Sequence, residues 1–149
     1  MTAIPPFQPV PPPSGPTNNE RNAALIAWIG MLIAYFVCGL AAFVPPLVVL
    51  LKQGKTSPFA RAHAAESLNV FITALIVSTI GSIPFLAFFF LGFVADSTAF
   101  IGSFFAIWAW MLVLNLALLA YVVTTSVFGA IRSSNSQPFR PPVTLHLVK

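Results

Sequence analysis

Charge is what this chain has least of. Only 7% of its 149 residues are Asp, Glu, Lys or Arg, against about 25% in an ordinary water-soluble domain. That leaves too little polar surface to cover a soluble particle, so lipid must cover the rest. Acidic residues are scarcest, with three against seven basic ones. The resulting net charge of +4 is too small an excess for a phosphate-tracking groove, and its placement beside apolar runs fits the bias of cytoplasmic loops for Lys and Arg. Nucleic acid is therefore excluded as a partner. One cysteine, Cys38, allows no internal disulfide and reads as a small hydrophobe in packing. There is no Gly-rich phosphate loop, no nucleophile with a base beside it and no pair of carboxylates, because Glu66 and Asp96 flank an apolar run and fall on opposite membrane faces. The expectation is a protein that is not an enzyme and holds no cofactor.

What the chain has instead is apolar length: 58% hydrophobic residues and a mean hydropathy of +0.91, the values of an integral membrane protein. Residues 1–19 carry prolines at 5, 6, 9, 11, 12, 13 and 16, which blocks regular structure and predicts a disordered cytoplasmic tail, or a docking strip for a partner's aromatic groove. The long proline tract ahead of the first apolar run argues against a signal peptide. Residues 20–132 form the membrane domain and 133–149 a cytoplasmic tail. The first run, 23–51, overshoots a core of about 30 Å as one straight helix. Gly39 and Pro45-Pro46 allow either one kinked span or a pair of short helices, 22–37 and 40–51. Helices follow at 58–94, broken at 81–84 by Gly81-Ser82-Ile83-Pro84, and at 99–132. Lys52, Lys55 and Arg61 on one side, with Arg132, Arg140 and Lys149 on the same side, place the 52–61 loop and the C-terminus in the cytoplasm and Asp96 outside. Val143, Leu145 and Leu147 alternate with polar residues, a strand period over 143–148. A lone strand must lie on the helices, pair with a partner edge or stay loose.

One stretch gathers polar groups between the apolar runs: Ser57-Pro58-Phe59-Ala60-Arg61-Ala62-His63-Ala64-Ala65-Glu66-Ser67-Leu68-Asn69. Ser57 and Pro58 form a helix start, a hydroxyl cap followed by a residue whose missing N–H is not needed there. His63, Glu66 and Asn69 recur at three-residue spacing and share a face. The chemical readings are a metal site or a proton-handling pair; the structural one is a polar network pinning helices together, with Glu66 accepting from His63 or Arg61 and Asn69 bonding across to the level of Tyr121, Thr124 and Thr125. Zinc requires three or four ligands, and the other candidates, His146 and Cys38, lie in distant segments. Asn115 is an isolated amide deep in an apolar run and needs a protein partner, internal or from another subunit. Aromatics crowd the outer turn between Phe85 and Trp110, a packing cluster or a lipid- or subunit-docking face.

Ser57-Pro58-Phe59 followed by Arg61-x-His63-Ala64-x-Glu66-x-Leu68-Asn69 resembles the Ser-Pro-Phe-Val-x-x-His-Ala-x-Glu/Gln-Ala-Leu-Asn-Phe pattern of the DUF4870 family, small prokaryotic membrane proteins similar to the Tic20 component of chloroplast protein import. Glu20-Arg21-Asn22-Ala23 resembles that family's start, and Phe139-Arg140-x-Pro142-Val143-Thr144-Leu145 its ending. Two positions depart: Trp28 stands where the family often has histidine, which removes a possible partner for His63, and Pro141 replaces an aromatic. The resemblance implies a four-helix, all-α bundle with both termini cytoplasmic, in the bacterial cytoplasmic (inner) membrane.

The function expected is that of an accessory or stabilising subunit of a larger membrane assembly. Its partners would be the bilayer and other integral membrane subunits, with a homo-oligomer as a further form of association. The alternative is a component of protein or lipid transport, suggested by the likeness to Tic20; an intramembrane enzyme built on His63 and Glu66 comes third. Ser57, Pro58, Arg61, His63, Glu66, Asn69 and Asn115 are the structural or partner-binding candidates.

Overall fold

The computed structural model describes residues 15–92 and 97–148, and every described element is helical or extended coil. The Pro-rich segment up to residue 14, Asp96 and Lys149, for which a disordered tail, an outer turn and a cytoplasmic end are expected, lie outside the described residues.

Helix α1, Asn18–Cys38, begins four residues before the sequence expectation because Thr17 and Glu20 form a capping box: Thr17 Oγ1 accepts from the Glu20 N–H, and the Glu20 carboxylate accepts from the Thr17 N–H at 2.7 Å. A 3₁₀ turn, Gly39–Phe43, reverses the chain into α2, Val44–Gln53. Pro45 and Pro46 therefore do not break a helix; they sit in the first turn of one, where no N–H is missed. α2 returns along α1. Gly30 makes this possible, since a Cβ there would lie 2.7 Å from that of Pro45.

α3, Pro58–Gly81, is capped by the Ser57 hydroxyl, which accepts from the Ala60 N–H at 3.1 Å. After Ser82 the chain restarts as α4, Ile83–Gly92, and α5 covers Ser97–Ser134. Ala23 and Ala27 of α1 meet Val49 of α2 and Ala60 and Ala64 of α3, so α1 and α3 start at the same end and run parallel, with α2 antiparallel between them. α5 runs antiparallel to α3: Leu114 packs on Gly81, Leu118 and Val122 join Val70 and Ala74, and Gly129 lies under Trp28.

Among the described residues, three helical stretches are long and apolar enough to cross a membrane: Asn18–Gln53, Pro58–Phe90 and Phe100–Ser134. The first is folded on itself, and α2 with ten residues is about 15 Å long, half of a hydrocarbon core of about 30 Å. The all-α expectation holds for the described residues, which contain three stretches of spanning length; α2 by itself is too short to cross. Large apolar side chains such as Val37, Leu51, Phe90 and Phe105 face outward, while Ser67, Asn69, Thr73, Ser126 and Ser133 are buried. A molecule that is polar within and apolar without has lipid as its solvent, and the chain is a multi-pass membrane protein.

Candidate functional site

The site is built on one face of α3. His63, Glu66, Asn69 and Thr73 follow one another at helical spacing and line up along the helix, starting one turn inside its capped end. Opposite them lies the tail, residues 135–148, which leaves α5 at Ser134, passes over the bundle end and dips back between α3 and α5.

His63 is buried and both of its ring nitrogens are engaged. Trp28 Nε1–H donates to His63 Nδ1 at 3.0 Å, and His63 Nε2–H donates to the Gln137 carbonyl at 3.1 Å. An indole N–H can only donate, so Nδ1 carries no proton and the ring is in its Nε2–H tautomer. Phe59 stacks at a tilt on the same ring with centroids 4.6 Å apart, and Phe139 meets the Trp28 indole edge-on at 5.6 Å. This overturns two expectations. Trp28 does not deprive His63 of a partner but is that partner, and His63 does not donate to Glu66.

Asn69 is fully buried and grips the tail backbone. Its Oδ1 accepts from the N–H groups of Leu147 at 3.0 Å and Val148 at 2.8 Å, and its Nδ2 donates to the Val148 carbonyl at 3.1 Å. One turn further along, Thr73 Oγ1 accepts from the Leu145 N–H at 3.0 Å while donating to the Asn69 carbonyl at 2.7 Å. From α5, the Tyr121 hydroxyl bonds the Thr144 hydroxyl at 2.9 Å. The expected bond from Asn69 to the Tyr121 level is thus replaced: the tail lies between the two helices and takes both sets of polar groups. The alternating segment 143–148 forms no strand; helix side chains occupy its N–H groups in place of a ladder. Without them an extended backbone at this depth would be left with unpaired donors. The turn into the dip puts Val143 at φ 59°, a left-handed conformation that is uncommon for a β-branched residue.

Glu66 points at the tail as well. Its side chain is 12% exposed, and Oε2 is buried and accepts no hydrogen bond, although His146 Nε2 stands 3.4 Å away without the alignment of one. The two residues edge an open pocket of about 540 Å³ together with Phe59, His63, Phe139 and Arg140.

The other candidates lie elsewhere. Ser57 and Pro58 form the α3 cap, and Arg61 is exposed beyond the polar face. Asn115 is far along α5, where Nδ2 donates to the Met111 carbonyl of its own helix at 2.7 Å and the side chain borders a cavity of about 200 Å³ with Tyr35 and Ser78. Cys38 is exposed at the end of α1. Among the described residues no three His, Cys, Asp or Glu side chains come together as a metal site. The residues that sequence reasoning missed are Trp28, Thr73 and Gln137. Thr73 carried a signal, extending the 63–66–69 spacing by one turn; a carbonyl such as that of Gln137 carries none.

Compared with known proteins, the chain matches the family model MamF_MmsF, the magnetosome magnetite crystal formation protein family, over residues 19–148. The match takes in all five helices and the docked tail. It corrects the resemblance drawn from the 57–69 motif: the family is MamF/MmsF, and nothing supports the DUF4870 or Tic20-like assignment. No curated protein matches, and no solved structure does.

Proposed function

We propose, for a chain that belongs to the MamF/MmsF family of magnetosome magnetite crystal formation proteins, the role of an accessory membrane component that acts by association rather than catalysis. The observation that carries this reading is how the polar groups are used. His63, Asn69 and Thr73 are taken up in holding Trp28 and the tail, which supports a structural role for this face of α3. Such a protein shapes crystal formation through what it binds in the plane of the membrane, other integral subunits or copies of itself. The transport reading has lost the Tic20 likeness and keeps the interruption of α3 and α4 near Gly81 and the aromatic cluster between Phe85 and Trp110.

The start of α1, the α2–α3 loop with Lys52 and Lys55, and the end of α5 with Arg132 lie at one end of the molecule, a grouping that supports a cytoplasmic placement for all three. A bacterial inner-membrane origin follows from the same reading.

The test is removal of the chain from a magnetite-forming cell, with crystal size and number read by electron microscopy and the membrane neighbours read by mild-detergent pull-down. The expected result is altered crystals, restored by the wild-type chain and equally by a His63→Phe, Glu66→Gln double variant that still reaches the membrane in normal amount. Normal crystals in the deletion, or a double variant that is present and folded yet inactive, would sink the proposal.

A further inference from the structure

The pocket between α3 and the tail has a composition that its own neighbours do not explain. A carboxylate oxygen, Glu66 Oε2, is buried there without a hydrogen-bond donor, an arrangement that costs free energy unless a donor arrives from outside. His146 is close at 3.4 Å but misaligned and half exposed, so it neither completes the acceptor nor closes the opening. Arg140 lines the same pocket, exposed, and offers a planar set of donors suited to a phosphate. Phe59 and Phe139 give it apolar walls, and about 540 Å³ is room for a small zwitterion with the start of its attached chain.

The location narrows the ligand further. Glu66 is eight residues into α3, about 12 Å along the helix from Pro58, where the basic loop has just given way to apolar chain. A bilayer whose surface lies beside that basic loop would bring its head groups to this end of α3. A ligand with an N–H-bearing cation for Glu66 and an anion for Arg140 is matched by a lipid carrying ammonium and phosphate two carbons apart. Choline lacks the N–H that Oε2 requires, and a purely anionic head group would meet the Glu66 charge.

We infer that the α3–tail pocket binds the head group of an ethanolamine-type phospholipid, its ammonium on Glu66 and its phosphate on Arg140. The bound lipid bridges α3 to the tail and so adds a removable pin to those supplied by Asn69 and Thr73. The site is independent of the role proposed above, and its failure would leave that role untouched.

Native mass spectrometry of the full chain in mild detergent tests this, offering phosphatidylethanolamine, phosphatidylcholine and phosphatidylglycerol with identical acyl chains. Retention of the ethanolamine lipid about tenfold over the other two is expected, falling to their level in Glu66→Gln and in Arg140→Ala. Circular dichroism of both variants confirms that the helices persist, and the wild-type preference needs no variant at all. Equal retention of the three lipids, or a preference untouched by both substitutions, overturns the site. Free O-phosphoethanolamine binding as tightly as the lipid overturns the membrane source of the ligand.

Discussion

The Trp28 indole N–H of α1 donates to His63 Nδ1 of α3 at 3.0 Å, across 35 residues of sequence. With the His63 bond to the Gln137 carbonyl, it ties the first helix, the third helix and the tail at one point. The indole is also the largest fully buried side chain, so its polar and apolar parts serve the same junction.

Replacing Trp28 by Phe keeps much of the ring burial and removes the donor. His63 Nδ1 is then buried unpaired, and the cost expected is about 1–3 kcal/mol. Thermal unfolding in nanodiscs reads it. A double-mutant cycle with His63→Phe should show the two losses to be non-additive, and full additivity would deny the coupling.

Asn69→Leu removes three hydrogen bonds to the tail, each worth about 0.5–1.5 kcal/mol net. The amides of Leu147 and Val148 should exchange with solvent at least about tenfold faster while those of the helix cores do not change. Val143→Asn acts in the opposite direction. Val143 is 89% exposed, so nothing is lost from packing, and asparagine tolerates the left-handed backbone at φ 59°. Slower exchange at Leu145 is the expected result.

Two glycines of α5 should respond oppositely to alanine. A Cβ on Gly129 runs into the Trp28 indole, so Gly129→Ala is expected to destabilise by about 1–3 kcal/mol through overpacking. Gly102 has open space around it, and Gly102→Ala should gain about 0.5–1 kcal/mol of helix propensity. Melting temperatures that move together would contradict this packing.

Orientation is checked by cysteine labelling after Cys38→Ala. Thr56→Cys in the α2–α3 loop and Asn135→Cys at the end of α5 should both react with an impermeant maleimide in inside-out vesicles and be protected in right-side-out ones. Labelling of the two from opposite sides would refute the antiparallel course of α3 and α5.

Much of the molecule could be read before any fold was known. The scarcity of charge and the uncharged runs require a lipid solvent, because no arrangement of 149 residues could cover so much apolar surface with so few polar groups. The Ser57-Pro58 start of α3 was equally legible, since capping is local chemistry between neighbours in sequence. So was the shared face of His63, Glu66 and Asn69, which helical geometry alone imposes. Thr17-x-x-Glu20 was just as local a signal and sets the start of α1, where the sequence reading placed the helix four residues late.

Tertiary structure alone decided what those groups bind. The run 23–51 was open between one span and a folded pair by its length, and the contact of Gly30 with Pro45 closes it as a pair because only packing distinguishes the two. The tail's alternating pattern called for partners for its backbone. That Asn69 and Thr73 supply them, and not a neighbouring strand, depends on how the tail folds back along α3 beside its contact with α5. Trp28 and His63 are joined for the same kind of reason: one hydrogen bond between residues 35 apart is fixed by how helices cross, and no spacing along the chain encodes it.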